Sequence, residues 1–274
     1  MRIAFFDSGI GGLTVFYEAL HLFPNEDYIY FADSDNAPYG SRSKKEVQRL
    51  IGEAIAFLAK KDIDVLVLAC HTASKLMKEK LQNEYDFRVI GMESGLEADH
   101  FQNTAKKILI CGTDLSVKVW EKHFQQDSIN PDYLSLQQLI TLAEKRNFYS
   151  SDAFSYLYQK LTSFEWENYQ AILLGCTHFP FYRRQIQDIL PTSIQILDGG
   201  YATIKKLGSY IKKTNQKQNN NIQYFISGKP KPTAYFFNYL ETLKLEQERL
   251  ALRQNYTLLA SQAIAYAPPC ETVK

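Results

Sequence analysis

The chain has 274 residues, of which 45% are hydrophobic and 22% are charged, so a folded core in one large or two ordinary domains is expected. Its 31 basic and 30 acidic residues leave a net charge of +1, which gives no field that would attract nucleic acid or an anionic membrane. No apolar run approaches the ~20 residues of a membrane span, no signal peptide is visible, and four cysteines do not make a disulfide framework. We therefore expect reduced thiols and a cytoplasmic protein.

Strand and helix signals alternate along the whole chain. Short apolar runs predict strands, apolar residues three or four positions apart predict helices, and a capping box of Ser43 and Glu46 marks one helix start. This order predicts an α/β fold with a mainly parallel sheet. In chain order, strands are predicted at residues 2–6, 27–32, 65–69, 87–91, 107–111, 171–175, 194–197 and 222–227, and helices at 13–23, 43–61, 116–124, 135–145, 151–162, 201–213 and 233–243.

Polar and thiol side chains follow several of these strands directly. In open α/β sheets, ligands bind beyond the carboxyl ends of the strands. The convergence of such segments at one sheet edge therefore predicts a ligand site. The segments are Asp7-Ser8, Pro38-Tyr39-Gly40, Cys70-His71-Thr72, Thr113 and Cys176-Thr177-His178.

Two cysteines, Cys70 and Cys176, each close an apolar run and are followed at once by small and polar residues. Two buried, inert cysteines are the alternative, since such residues are common in apolar strands. A helix N-terminus at each sulfur would stabilise a thiolate and lower its pKa from ~8.5 toward neutrality. We interpret the repeat as two half-molecules that each present one thiol to a shared cleft. Such a cleft suits a reaction with a base on one face of a carbon and an acid on the other.

The hydroxyl and carboxyl groups beside the thiols have two interpretations. Asp7-Ser8 precedes a glycine cluster. These residues could form a helix N-cap, or the Asp7 carboxylate could orient a thiol or an ammonium group. Thr72 and Thr177 could hold substrate carboxylates at helix N-termini, where anions are favoured, or only cap those helices. The glycines match neither a dinucleotide fingerprint nor a phosphate loop, so nucleotide binding is discarded.

A metal site is the competing interpretation of the histidines. Cys70-His71 and Cys176-x-His178 would have to supply four ligands, but no Cys-x-x-Cys spacing is present and adjacent ligands would need opposed directions. We therefore predict no metal. His178 lies two residues after Cys176 and is favoured as its proton-exchange partner. Cys111 and Cys270 are predicted to be inert.

Four segments together resemble the glutamate racemases of the cofactor-independent aspartate/glutamate racemase superfamily. They occur in the family's order and spacing over residues 1 to about 200. The segments are Phe6-Asp-Ser-Gly-Ile-Gly-Gly-Leu-Thr-Val15, Ala37-Pro-Tyr-Gly-Ser41, Ala69-Cys-His-Thr-Ala-Ser74 and Leu174-Gly-Cys-Thr-His-Phe-Pro180.

This resemblance implies two pseudo-symmetric, mainly parallel α/β domains, residues 1–96 plus 209–274 and residues 97–208, with the active site between them. It implies cofactor-independent racemisation of glutamate, which would supply D-glutamate for peptidoglycan, and permits a homodimer. Cys70 and Cys176 would exchange the α-proton on opposite faces, tuned by Asp7 and His178. The residues expected to bind the amino acid are Ser8, Pro38, Tyr39, Gly40, His71, Thr72, Thr113 and Thr177, with Ser116 as a weaker candidate.

The chain departs from the family at three places that bear on turnover, one of which is a shortened loop at residues 91–95, where the family usually has a proline after the glutamate. The family usually has Asn after Cys70, whereas His71 stands here. A neutral imidazole cannot imitate the donor and the acceptor of an amide side chain. A charged imidazole would lower the pKa of Cys70. Residues 134–139 also lack the family's Cys-Pro turn and an obvious acidic helper. Two alternatives stay open: an amino-acid-binding protein with little turnover, and a racemase of another acidic amino acid such as aspartate.

Overall fold

The computed structural model describes residues 1–96, 106–123, 131–211 and 221–248. The strands are β1 (Arg2–Asp7), β2 (Asp27–Ala32), β3 (Val65–Leu68), β4 (Arg88–Gly91), β5 (Lys107–Gly112), β6 (Pro131–Ser135), β7 (Tyr169–Leu174), β8 (Gln195–Leu197), β9 (Ile222–Ile226) and β10 (Lys229–Lys231). The α-helices are α1 (Leu13–Leu22), α2 (Lys44–Ala59), α3 (His71–Glu84), α4 (Asp114–His123), α5 (Gln137–Glu144), α6 (Ser151–Leu161), α7 (Arg183–Ile189), α8 (Gly200–Gly208) and α9 (233–248).

The larger sheet contains strands from both ends of the described chain. Its order is β10-β9-β2-β1-β3-β4, and every pair is parallel except β10 with β9. Successive side chains of a strand point to opposite faces, so Phe5 packs into one core cluster and Phe6 into another. Helices cover both faces, which explains why β3 is buried throughout and shows no polar alternation.

The smaller sheet is wholly parallel, with the order β6-β5-β7-β8. The same alternation buries Ile110 on one face and Cys111 on the other. Cys111 therefore lies in the core of a strand, as predicted, whereas Cys270 falls outside the described residues.

The two sheets share part of one apolar core. Phe5 of the first sheet and Ile172 of the second belong to the same cluster, together with Leu139 of α5. Helix α1 packs against α8, and α3 packs against α4. The carboxyl ends of β1, β3, β5 and β7 consequently face a common region.

The predicted fold class, mainly parallel α/β with two sheets, is confirmed, but two edge strands were missed. Residues 131–135 precede the predicted helix at 135–145, and as β6 they are only half buried, so they carry no apolar run. No strand is predicted between residues 227 and 233, yet β10 pairs antiparallel with β9 there, because a proline is tolerated on an edge strand. The domain boundaries near residues 96 and 209 stay predictions.

Within the described ranges, no helix is both long and apolar enough to cross a membrane.

Candidate active site

All of the predicted site residues except Asp7 line one cavity of about 20 Å³, together with Ser116, Ile140 and Gly175. The cavity lies beyond the carboxyl ends of β1, β3, β5 and β7, where the polar segments converge. Its volume is enough for little more than one water. The two thiols reach it from different sheets, Cys70 after β3 and Cys176 after β7.

Cys70 is the N-cap residue of α3 and is 6% exposed. Its Sγ lies 3.8 Å from the Ser8 hydroxyl oxygen. Burial, and after it the nearby Asp7 carboxylate, raise the pKa of Cys70 to about 12, although the backbone N–H of Ala73 acts in the opposite direction. The prediction that the helix N-terminus lowers this pKa is wrong, because loss of water outweighs one favourable backbone dipole.

His71 is buried beside Cys70, and its ring centroid lies 5.7 Å from that of Trp120 on α4. Burial lowers the pKa of His71 to about 4, although the Asp198 carboxylate acts in the opposite direction. The imidazole is therefore neutral at physiological pH. A positively charged His71 that depresses the pKa of Cys70, one of the two sequence-based interpretations, is excluded.

Cys176 belongs to a chain of three polar groups. Its Sγ lies 3.6 Å from Nδ1 of His178, and Nε2 of His178 lies 2.8 Å from Oε1 of Glu144. Burial alone would lower the pKa of His178, but Cys176 and Glu144 together raise it well above its ordinary value. The arrangement favours a protonated imidazole between a sulfur and a carboxylate.

Glu144 is the acidic group that the sequence analysis missed. It lies at the end of α5, outside residues 134–139 where an acidic helper was sought. Its Oε1 also accepts a hydrogen bond from the backbone N–H of Ile10 at 2.8 Å. One carboxylate therefore ties the glycine turn after β1 to His178, which follows β7. No local signal distinguishes Glu144 from the other acidic residues that end helices.

Asp7 does not line the cavity, and its side chain is fully buried. It accepts hydrogen bonds from the backbone N–H of Gly9 at 2.9 Å and from the hydroxyl of Thr177 at 3.2 Å. Burial raises the pKa of Asp7 to about 6, although His178 opposes the increase. Asp7 thus links the end of β1 to the segment that carries Cys176.

The glycine turn has a steric purpose. A Cβ atom at Gly11 would lie 2.4 Å from Nδ1 of His178 and 2.6 Å from Oγ1 of Thr177. Only glycine allows the turn to approach the imidazole this closely. At Gly40 a Cβ would lie 2.6 Å from the Cβ of Thr113, which explains the glycine beside the predicted substrate-binding Tyr39.

Several of the predicted binding residues already have partners inside the protein. The hydroxyl of Tyr39 donates to Asp33 at 2.6 Å. Thr113 and Ser116 cap each other: the backbone N–H of Thr113 donates to the Ser116 hydroxyl at 2.7 Å, and the reciprocal bond is 2.9 Å long. These bonds fix the cavity wall, and the role of each residue toward a substrate stays a prediction.

In the part of the chain that the structure describes, no group of three or more His, Cys, Asp or Glu side chains could hold a metal ion.

Comparison with known proteins places the chain in a family. The family described as Asp/Glu/Hydantoin racemase matches residues 18–207. The chain belongs to this family. It is 37% identical over 236 residues to glutamate racemase 2 of Bacillus subtilis (strain 168), which covers 83% of this chain and 89% of that protein. It is 36% identical over 256 residues to the glutamate racemase of Halothermothrix orenii, covering 89% of this chain and 99% of the relative.

Solved racemase structures have the same fold. The glutamate racemase of Thermus thermophilus, crystallised with β-chloro-D-alanine, matches with a TM-score of 0.74 and 26% identity, over 88% of this chain and 92% of that one. The resemblance that the four sequence segments predict is therefore confirmed.

Proposed function

We propose that this racemase-family protein interconverts L- and D-glutamate without a cofactor, through the two thiols Cys70 and Cys176. The observation that carries the proposal is that both thiols line one cavity while following strands of different sheets. Two acid–base groups that reach a substrate from separate sheets can act on opposite faces of one carbon. A single base would tend to return the proton to the face that lost it.

Proton transfer needs charge stabilisation, because the α-proton of an amino acid is very weakly acidic. Both thiols are buried, and in a site that holds little water fixed dipoles act more strongly on a developing negative charge. Helix α3 begins at His71, and Thr72 stands in its first turn, so its N-terminus favours the substrate carboxylate. In a mechanism without pyridoxal as an electron sink, these dipoles have to stabilise the negative charge that develops on the α-carbon.

The environments of the two thiols differ, which supports complementary roles. Cys70 is held as a thiol by its high pKa and serves as the acid, while Cys176, beside His178 and Glu144, takes the α-proton. One turnover exchanges the protonation states of the two sulfurs, so the opposite enantiomer is processed by the reverse sequence.

In the cell we propose that the reaction supplies D-glutamate for peptidoglycan in the cytoplasm. The predicted homodimer belongs to the same proposal and can be measured by light scattering.

The decisive experiment follows the circular dichroism of L- and D-glutamate with purified full-length protein. Cys70→Ser and Cys176→Ser should each lower kcat/KM by roughly 10²- to 10⁴-fold without changing the melting temperature. Cys111→Ala is the matched control, because Cys111 is a buried thiol outside the cavity, and it should keep nearly full activity.

Full activity in either serine variant would eliminate the two-thiol mechanism. Binding of glutamate without any change in ellipticity would favour the amino-acid-binding alternative. Faster turnover of aspartate than of glutamate would identify a racemase of another acidic amino acid.

A further inference from the structure

A buried tryptophan of α4, Trp120, lies close to the thiol cavity without lining it. Its side chain is 1% exposed. The other buried members of its apolar cluster are Ile108 and Ile110 of β5 and Ala171 and Leu173 of β7. The indole is therefore part of the packing on one face of the second sheet.

Trp120 also contacts α3, the helix that begins directly after Cys70. The ring centroid of His71 lies 5.7 Å from that of Trp120, and Nζ of Lys75 lies 4.9 Å from the centroid of the same indole. His71 and Lys75 are four residues apart, so they lie on one face of α3. An aromatic contact and a cation–π contact therefore hold the first turn of α3 against the indole.

The indole reaches the segment of the second thiol as well. Gly175 stands directly before Cys176, and a Cβ atom there would lie 2.9 Å from Nε1 of Trp120. Only glycine lets the indole approach this part of the backbone so closely. The backbone is fixed at the same point, because the N–H of Gly175 donates to the carbonyl oxygen of Cys111 at 2.8 Å. Gly175 itself lines the thiol cavity.

We propose that Trp120 is a positioning residue that sets the separation of the two thiols. It contacts the residue after Cys70 and the residue before Cys176, one from each sheet. This role rests on the proposed racemisation, in which both sulfurs have to reach the same α-carbon. Protein interiors are close-packed and transmit strain, so a change in the size of the indole moves both segments. A misplacement of about 1 Å can slow a reaction roughly 100-fold, even when the altered residue is far from the reacting groups.

Two substitutions of Trp120 test the proposal by racemisation of glutamate, followed by circular dichroism. Trp120→Phe keeps an aromatic ring toward α3 but lacks Nε1, and Trp120→Leu loses the aromatic contacts as well. We expect kcat to fall roughly tenfold in the first variant and roughly 100-fold in the second. KM should stay nearly unchanged, because the indole acts on the alignment of the thiols rather than on binding of the substrate.

Trp166→Phe is the matched control variant. Trp166 is the other tryptophan of the chain and is also buried. It precedes β7 at the end away from Gly175, and its Nε1 donates to the carbonyl oxygen of Leu161 at 2.9 Å. This substitution should lower the melting temperature about as much as Trp120→Phe and leave racemisation unchanged. Loss of stability is thereby separated from loss of alignment.

Alkylation of the thiols by iodoacetamide gives a readout that needs no turnover. A smaller side chain at Trp120 leaves space behind the cavity wall, so Cys70 and Cys176 should both react several-fold faster in Trp120→Leu than in Trp166→Phe. Mass spectrometry of the two cysteine-containing peptides measures each rate separately. Trp120→Phe carries both tests if Trp120→Leu does not fold.

Racemisation as fast in the Trp120 variants as in Trp166→Phe would overturn the proposal. So would an unchanged alkylation rate at either thiol, or a loss of kcat/KM that comes from KM alone. The proposed function fails separately: if the wild-type protein does not racemise glutamate but both thiols react faster in the Trp120 variants, the positioning of the thiols by Trp120 stands.

Discussion

Replacing Glu144 by glutamine tests how far one carboxylate supports the proton transfer at Cys176. Oε1 of Glu144 lies 2.8 Å from Nε2 of His178, and its side chain is only 20% exposed, so solvent screens the pair weakly. Glutamine has the same size and keeps an oxygen for the Ile10 N–H. The substitution therefore removes the charge with little change of shape.

The size of the effect follows from the strength of that contact. A hydrogen bond to a charged group contributes about 1.5–3 kcal/mol, and about 1.4 kcal/mol corresponds to a tenfold change in rate. We expect Glu144→Gln to lower kcat/KM for glutamate roughly 10- to 150-fold. Because L- and D-glutamate have equal free energies in water, kcat/KM must fall equally in both directions, whereas kcat and KM need not.

The pH profile gives a second readout that a merely structural role would not change. Glu144 helps to raise the pKa of His178, so in the variant His178 loses its proton at a lower pH, and the limb of the activity profile that depends on this proton should move to lower pH. The assay is circular dichroism of both enantiomers across pH, with Glu53→Gln as the control for loss of a carboxylate. Activity within twofold of the wild type and an unchanged profile would refute the assignment.

Two further substitutions test the support of the site. Asp7→Asn removes a carboxyl whose pKa is raised by burial from 3.8 to about 6. The cost of this buried charge grows as the pH rises from about 4 to about 6 and is constant above that range. The variant should therefore be more stable by about 3 kcal/mol at pH 8 and by about half as much at pH 5, while racemisation decreases. Urea unfolding at pH 5 and pH 8 measures this, and a less stable variant at pH 8 contradicts it. Gly11→Ala places a Cβ against His178 and should reduce racemisation at least roughly tenfold by displacing the imidazole. Gly52→Ala is the control, because nothing lies within 4 Å of the added Cβ there. It should leave activity intact and add about 0.5–1 kcal/mol of helix stability. Equal activity of the two alanine variants would show that the close approach at Gly11 is unimportant.

The sequence predicts the strands that bury continuous apolar runs, and it misses two edge strands, β6 and β10. Strand β3 is an uninterrupted Val-Leu-Val-Leu run, and its position was predicted to within one residue. Strand β10, Lys-Pro-Lys, forms only because β9 offers it an edge. No property of those three residues alone indicates a strand, since their pairing is decided by tertiary contacts.

The site shows the same division between local pattern and tertiary environment. The segments around Cys70 and Cys176 are recognisable because their residue types follow strands directly. The high pKa of Cys70 was not predictable, because it depends on how completely the folded chain around the thiol removes water. Glu144 was missed for a related reason: its partner His178 lies 34 residues away in sequence, and only the folded chain brings them together.

The position of β9 affects how the protein is made. Strand β2 has five buried residues, but its outer neighbour β9 follows it by about 190 residues. At a synthesis rate of 5–20 residues per second, roughly 10 to 40 s pass before that neighbour leaves the ribosome. During this interval the nascent chain presents an unpaired apolar strand edge, which is a template for aggregation. Chaperone binding during translation should therefore concentrate on residues 27–32 and end once residues 222–226 emerge.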